Sequence, residues 1–233
     1  MDLPILYEDA DVVAVDKPAG LMTHPDGQSA AETAADWFSK KYPDGGYAHR
    51  LDRDTSGVLV FAKNQAALTF LKNAFQKRDV KKTYLAFVYG ILTEKKGVIN
   101  FDIGRSRKDF RLRSAQPKAR GTMRDAVTRY EVVGEDGSPD GEASKHTLLK
   151  VMPETGRTHQ IRVHLKAIHH PIVGDPLYAP NHLRDLGFER LGLHAYQIDL
   201  PLPAGGRTLI TAPIPAELVP AFKSFGGEKF ARA

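Results

Sequence analysis

Hydrophobic and polar positions alternate in short blocks along this chain. Ile5-Leu6-Tyr7 and Val12-Val13-Ala14-Val15 flank the polar turn Glu8-Asp9-Ala10-Asp11, which predicts a hairpin ended by Pro18-Ala19-Gly20. After a loop through His24-Pro25-Asp26-Gly27, a helix is predicted over about 30–40, stopped by Tyr42-Pro43-Asp44-Gly45-Gly46. Val58-Leu59-Val60-Phe61 reads as a short, fully apolar strand. From Gln65, the apolar spacing of Leu68, Leu71 and Phe75 predicts an amphipathic helix. Strands are predicted at 84–88, 98–103, 127–133, 147–151, 161–165 and 193–200, with a closing helix at 215–225. An acidic turn is expected at 134–144. This mixed order predicts an α+β fold on a largely antiparallel central sheet with flanking helices. No repeat or long linker divides the chain, so residues 1–233 read as a single catalytic-type domain with no appended module.

Composition narrows the classes. A hydrophobic fraction of 42% over 233 residues supplies a core and excludes disorder as the main state. The chain has no cysteine, which removes disulfide scaffolds, zinc-thiolate sites and cysteine nucleophiles, and suits a cytoplasmic location. No apolar run approaches the roughly 20 residues of a membrane span, and the start has no secretion signal. The net charge of +5 is unevenly placed: residues 105–129 hold Arg105, Arg107, Lys108, Arg111, Arg113, Lys118, Arg120, Arg124 and Arg129 against Asp109 and Asp125. That arm alone carries +7, leaving the remainder slightly acidic. Such an arm suits a polyanion, nucleic acid being the commonest; a solvated loop explains the charge equally well. Phe110 and Leu112 among the arginines tilt the balance towards RNA, because an aromatic ring can stack on an unpaired base.

Two segments concentrate polar groups between apolar strands. In His49-Arg50-Leu51-Asp52-Arg53-Asp54-Thr55-Ser56-Gly57, a carboxylate beside guanidinium groups would stay ionised and could serve as nucleophile or base. Spacing alone favours a plainer polar turn, with Asp54 or Thr55 bonded to backbone groups. In 155–165, alternation as a strand would set His159, Ile161 and Val163 against Gln160, Arg162 and His164. A partly desolvated Arg162 would then need an acidic partner, for which Asp52 is a candidate. Five histidines fall between His146 and His170, but the intervals of five among His159, His164 and His169 fit no common ligand spacing, so no metal is expected. Phosphate-cradle motifs are absent.

Together these residues carry a family resemblance. His49-Arg50-Leu51-Asp52 with Asp54-Thr55-Ser56-Gly57 resembles the signature of the RluA-type RNA pseudouridine synthases. Lys82-Thr83-Tyr84-Leu85-Ala86-Phe87-Val88-Tyr89-Gly90 and Gly156-Arg157-Thr158-His159-Gln160-Ile161-Arg162-Val163-His164 resemble two further family motifs. Asp16 to Leu21, His170 to Asp175 and Leu193-His194-Ala195 also fit, in the family order. The likeness is to the compact branch lacking an N-terminal S4-like domain. His169 and Ala179 stand where glycine is usual, positions that bear on substrate choice.

The resemblance implies the pseudouridine synthase fold with an RNA-binding cleft, and isomerisation of uridine in a tRNA anticodon stem-loop, a 23S ribosomal RNA stem-loop, or both. It implies Asp52 as nucleophile, Tyr84 stacked on the target base, Arg162 pairing with Asp52, and Arg50 filling the space of the flipped base. Arg105, Arg107, Lys108, Arg111 and Arg113 would grip the RNA backbone. No cofactor, metal, membrane or obligate protein partner is implied. The rival readings are a catalytically inactive RNA-binding or chaperone protein on the same fold and, more distantly, a two-carboxylate glycosidase.

Overall fold

The computed structural model describes residues 2–25, 27, 30–107, 109, 111–117, 119–136, 145–181 and 186–230. In chain order the elements are β1 (Ile5–Glu8), β2 (Val12–Lys17), α1 (Ala34–Lys41), β3 (Gly46–Tyr47), β4 (Ser56–Ala62), α2 (Gln65–Gln76) and β5 (Lys81–Tyr89). There follow β6 (Lys96–Asn100), β7 (Ile103–Arg105), β8 (Arg113–Ser114), β9 (Arg120–Arg124), β10 (Val127–Asp136) and β11 (His146–Pro153). Helix α3 (Gln160–Ala167), β12 (Leu193–Pro201), β13 (Arg207–Thr211), a 3-10 turn (Ala216–Leu218) and α4 (Val219–Ser224) complete the chain. The elements are mixed α+β with mostly antiparallel pairing, as the sequence pattern predicts. They form two compact units, one of Met1–Lys82 and His194–Pro213, the other of Thr83–Leu193 and Ile214–Arg232. Among the described residues no helix is long and apolar enough to cross a membrane.

In the first unit the hairpin β1–β2 pairs through β2 with β4, antiparallel, from Val12↔Ala62 to Lys17↔Gly57. On the other side β4 meets β12 in parallel at Ser56↔His194 and Gly57↔Ala195. Every residue of β4 is buried, which explains its unbroken apolar run: a strand covered on both faces has no polar face to show. One face packs Val58, Val60 and Ala62 against Ala67, Leu68 and Leu71 of α2. On the opposite face Phe61 stacks on Phe38 of α1, with ring centroids 4.5 Å apart. Each buried Val, Leu or Phe side chain among these contributes about 1.5–3 kcal/mol. Helix α1 begins at Ala34 rather than near 30, because Thr33 and Asp36 bond each other's backbone N–H in a capping box. Asn64 caps α2 through Ala67 N–H.

In the second unit β5, β11, β10 and β6 form an antiparallel sheet. Ile161 and Leu165 of α3 pack on Ala86, Val88, Leu149 and Val151. Phe87 meets Phe188, Phe222 and Phe225. The strand predicted at 98–103 is two, β6 and β7, separated at Phe101 and Asp102. The closing helix is a 3-10 turn followed by the short α4. Of the expected acidic turn at 134–144, residues 137–144 lie outside the described residues.

One sequence expectation is overturned. Residues 160–167 are a helix, not the strand expected at 161–165, so the two-face alternation of His159, Ile161 and Val163 against Gln160, Arg162 and His164 does not hold. Gln160 through Leu165 are all buried, so β-branched Ile161 and Val163 suggest a strand while tertiary packing favours a helix.

Candidate active site

Asp52 lies in the first unit, on the turn that feeds β4. Thr55 N–H donates to the Asp52 carbonyl at 3.1 Å and closes a β-turn over 52–55. The residues on either side of Asp52 are tied down separately. Leu51 N–H donates to Thr23 Oγ1 at 3.1 Å while that hydroxyl lies 2.8 Å from the Leu51 carbonyl as donor. The Arg53 carbonyl accepts from Gly20 N–H at 2.9 Å and from Lys17 Nζ at 3.0 Å. Lys17 is fully buried and also donates to the carbonyls of Pro18 and Leu21, at 2.9 and 2.7 Å. Its cost of burial is offset by directing three N–H groups at three carbonyls. Gly57, the second residue of β4, has φ +110°, and a Cβ there would meet the Ala195 carbonyl oxygen at 2.2 Å, so the parallel contact with β12 requires glycine.

Around this turn, Arg50 is exposed and Asp52 half-buried. Arg53 Nε donates to Asp54 Oδ1 at 3.2 Å, a bond between side chains and not the bond to backbone groups expected of a plain polar turn. His49 Nε2 accepts from Val60 N–H at 3.0 Å, and its ring stacks on Phe75. Burial, with Lys82 adding repulsion, depresses His49 to about 3, so it is neutral at physiological pH and serves as an acceptor. Burial lowers Lys82 to about 8. Ser56 Oγ and His194 Nδ1 are 2.8 Å apart at the start of β4.

Tyr84 and Arg162 lie in the second unit. Tyr84 sits on β5 opposite Val151 and packs on the cluster that holds Ile161 and Leu165. Arg162, 2% exposed, has a partner that sequence reasoning missed: Asp175. Nε and Nη2 donate to its two carboxylate oxygens, each at 2.7 Å, in a buried fork-to-fork pair. Asp175 Oδ1 also accepts Leu177 N–H and Tyr178 N–H at 2.9 and 3.0 Å. The guanidinium lies 5.1 Å from the centre of the Tyr178 ring. The available signal was the segment Gly174-Asp175-Pro176-Leu177-Tyr178, a carboxylate followed by turn residues.

Gln160 and His164 complete a saturated polar network. The Gln160 oxygen accepts from Thr155 Oγ1 and Arg157 N–H, and its amide donates to the Val127 carbonyl and Thr128 Oγ1. His164 bridges Thr128 Oγ1 and the Phe101 carbonyl, and burial lowers its pKa. These groups fix α3 to β10. Among the described residues no group of three or more histidines or carboxylates could hold a metal ion.

The basic arm is not loop throughout. Among the described residues its strands form a three-stranded antiparallel sheet, β8–β7–β9, in which Arg105 stands opposite both Arg113 and Arg120. Directly paired residues share a face, so three arginines run side by side with about 4.8 Å between strands. Ile103, Leu112 and Ala115 anchor this sheet on Val163, Leu177 and Tyr178. Arg105 and Arg107 are exposed. Arg111 binds Asp109 through Nε and Nη2, the shorter contact being 2.6 Å, and holds that carboxyl below its usual range. Lys108 and Phe110 lie outside the described residues.

A family model described as RNA pseudouridylate synthase matches residues 11–167. The chain is 36% identical to a Bacillus subtilis protein named as an uncharacterized RNA pseudouridine synthase, YhcT, over 93% of this chain and 70% of that protein. It is 37% identical to the ribosomal large subunit pseudouridine synthase D of Vibrio cholerae, over 94% of this chain and 70% of that one. Among solved structures, human RNA pseudouridylate synthase domain containing 1 superposes with a TM-score of 0.76 at 28% identity, covering 94% of this chain and 86% of the other. The matched span takes in the clamped Asp52 turn, β5 with Tyr84 and α3 with Arg162, and the chain belongs to the RNA pseudouridine synthase family, the isomerases that convert uridine in RNA to pseudouridine.

Proposed function

We propose that Asp52 is the nucleophile of this isomerisation and that the substrate is a uridine in a stem-loop of large-subunit ribosomal RNA, of the tRNA anticodon arm, or of both. The observation that carries the catalytic assignment is the clamping of the Asp52 turn from both sides, by Thr23 at Leu51 and by Lys17 and Gly20 at Arg53. A carboxylate carried on a main chain fixed at both neighbouring residues, at the entrance to a buried strand, has less conformational freedom to lose on the way to the transition state. The names of relatives such as the Vibrio cholerae enzyme support ribosomal RNA as one source of substrate.

The target uridine leaves its stack, and exposed Arg50 occupies the vacated space. The Asp52 carboxylate bonds to C1′ as the C1′–N1 bond breaks, and the electron pair leaves with the uracil. The ring turns against Tyr84, whose flat face permits rotation in its own plane. C5 then bonds to C1′, Asp52 departs with the electron pair of its ester bond, the C5 proton is lost and N1 gains one. Substrate and product are isomers, so the sequence balances with no co-substrate. Arg162, held rigidly by Asp175, supplies fixed positive charge for the carboxylate chemistry.

The arginine row of β8–β7–β9 supports the RNA grip, with Arg105, Arg113 and Arg120 as its centre. Exposed Arg107 follows β7 closely in the chain and adds charge to the row, Lys108 is proposed to join the grip from the sequence alone, and Arg111 contributes to the extent that phosphate displaces Asp109. On a stem-loop transcript tritiated at uridine C5, the wild-type protein is expected to release tritium to water. Replacing Arg105, Arg113 and Arg120 together by Gln should raise KM at least about 10-fold and lower the log–log salt slope of binding by about 2, since each phosphate contact contributes about 0.7–0.9. Unchanged KM and slope would remove the row from the RNA interface. Absence of tritium release from any such transcript would count against the substrate class.

A further inference from the structure

We infer that Tyr178 is a positioning residue of this enzyme, whose hydroxyl ties the RNA-gripping arginine sheet to the helix that carries Arg162. The inference rests on the proposed roles of the arginine row and of Arg162. Tyr178 is buried in the second unit and touches three functional elements. Its ring lies beneath the Arg162 guanidinium at 5.1 Å and the Lys166 ammonium at 5.7 Å. Its backbone N–H donates to Asp175 Oδ1, the carboxylate that orients Arg162. Its hydroxyl accepts the backbone N–H of Arg113, in the first residue of β8, at 2.8 Å.

The same hydroxyl lies 3.0 Å from His159 Nδ1 and shares a hydrogen bond with that ring, so one oxygen is bonded to both the Arg113 main chain and His159. His159 opens α3 in the left-handed conformation, φ 58°, and contributes no side-chain cap to the helix. A bulky residue held there is locally strained, and the bond to Tyr178 is what its ring receives in return. The chain Arg113 N–H, Tyr178 hydroxyl, His159 ring thus joins the edge of the basic sheet to the start of α3, three residues from Arg162. Packing of Leu112 and Ala115 on Leu177 and Tyr178 alone would hold the sheet nearby but would not fix its register.

The two parts of Tyr178 make separable predictions. Tyr178→Phe keeps the ring under Arg162 and removes the hydroxyl tie. With a tritiated stem-loop as substrate, it should raise KM about 5- to 10-fold and leave kcat within about 2-fold. His159→Asn, which tolerates the left-handed backbone, should raise KM in the same direction by breaking the tie from its other end. In the Arg105, Arg113, Arg120 triple-Gln background, Tyr178→Phe should add no further KM effect, because the register it secures no longer serves a phosphate contact. A role confined to stability would instead leave KM of the folded fraction unchanged or give additive effects. Either outcome overturns the inference, as does a Phe variant with wild-type KM. Should the triple variant itself bind RNA like wild type, the failure belongs to the arginine row and not to Tyr178 alone.

Discussion

Replacing Asp52 by Asn is expected to abolish isomerisation while leaving the fold and RNA affinity in place. The turn uses the main chain of residue 52, whose carbonyl accepts from Thr55 N–H, and the clamps act on Leu51 and Arg53, so none of these bonds requires the carboxylate. Asn is close in size and shape and keeps one oxygen. What it lacks is an anionic oxygen able to bond to C1′, and removal of a covalent nucleophile in other enzymes costs several orders of magnitude. Tritium release from C5 should fall at least about 10⁴-fold, equivalent to about 5.5 kcal/mol of activation free energy. The Kd for the same stem-loop should stay within about 3-fold. Residual activity of more than a few per cent would remove Asp52 from the covalent step.

The second large effect is expected at Asp175. Arg162 and Asp175 are both essentially buried, and their two bonds of 2.7 Å satisfy the guanidinium on the side facing the carboxylate. Taking away one partner leaves a charge in a low-dielectric interior, a change that costs about 3–5 kcal/mol. Asp175→Asn should therefore lower the melting temperature by on the order of 10 °C, since about 1 kcal/mol shifts a chain of this size by about 2–4 °C. It should also reduce kcat by about 100-fold or more, because Arg162 loses its orientation. The double variant Arg162→Met with Asp175→Leu separates the two consequences. Replacing the pair by apolar side chains should restore part of the stability but none of the activity. A double variant that regained activity with its stability would show the pair to be structural alone.

The sequence made most of this architecture legible, for identifiable reasons. The hairpin, β4 and α2 are read correctly because their hydrophobic periods are long or unbroken and their ends are marked by turn residues and by the cap Asn64. The Asp52 turn is recognisable because polar and charged residues crowd against a fully apolar strand. Helix α3 is misread because it spans eight residues, buries six in succession and starts at a left-handed His159 without a side-chain cap. Neither period nor capping signal is present to reveal it. The strands of the basic arm are two to five residues long and carry arginine on the face that pairs, so alternation gives no sign of a sheet there. Asp175 escapes sequence reasoning because its partnership with Arg162 depends on the tight turn Gly174 makes, φ +70° against the Arg190 carbonyl, and not on any spacing between the two.

The most direct test of the central claim, that Asp52 makes pseudouridine in a structured RNA, is carbodiimide mapping of total tRNA and ribosomal RNA. It compares cells with the gene, cells without it, and deleted cells carrying either the wild-type or the Asp52→Ala protein. One or more stem-loop uridines are expected to lose modification on deletion and to regain it with the wild-type protein only. Rescue of the same sites by the Asp52→Ala protein, expressed at the same level, would contradict the account.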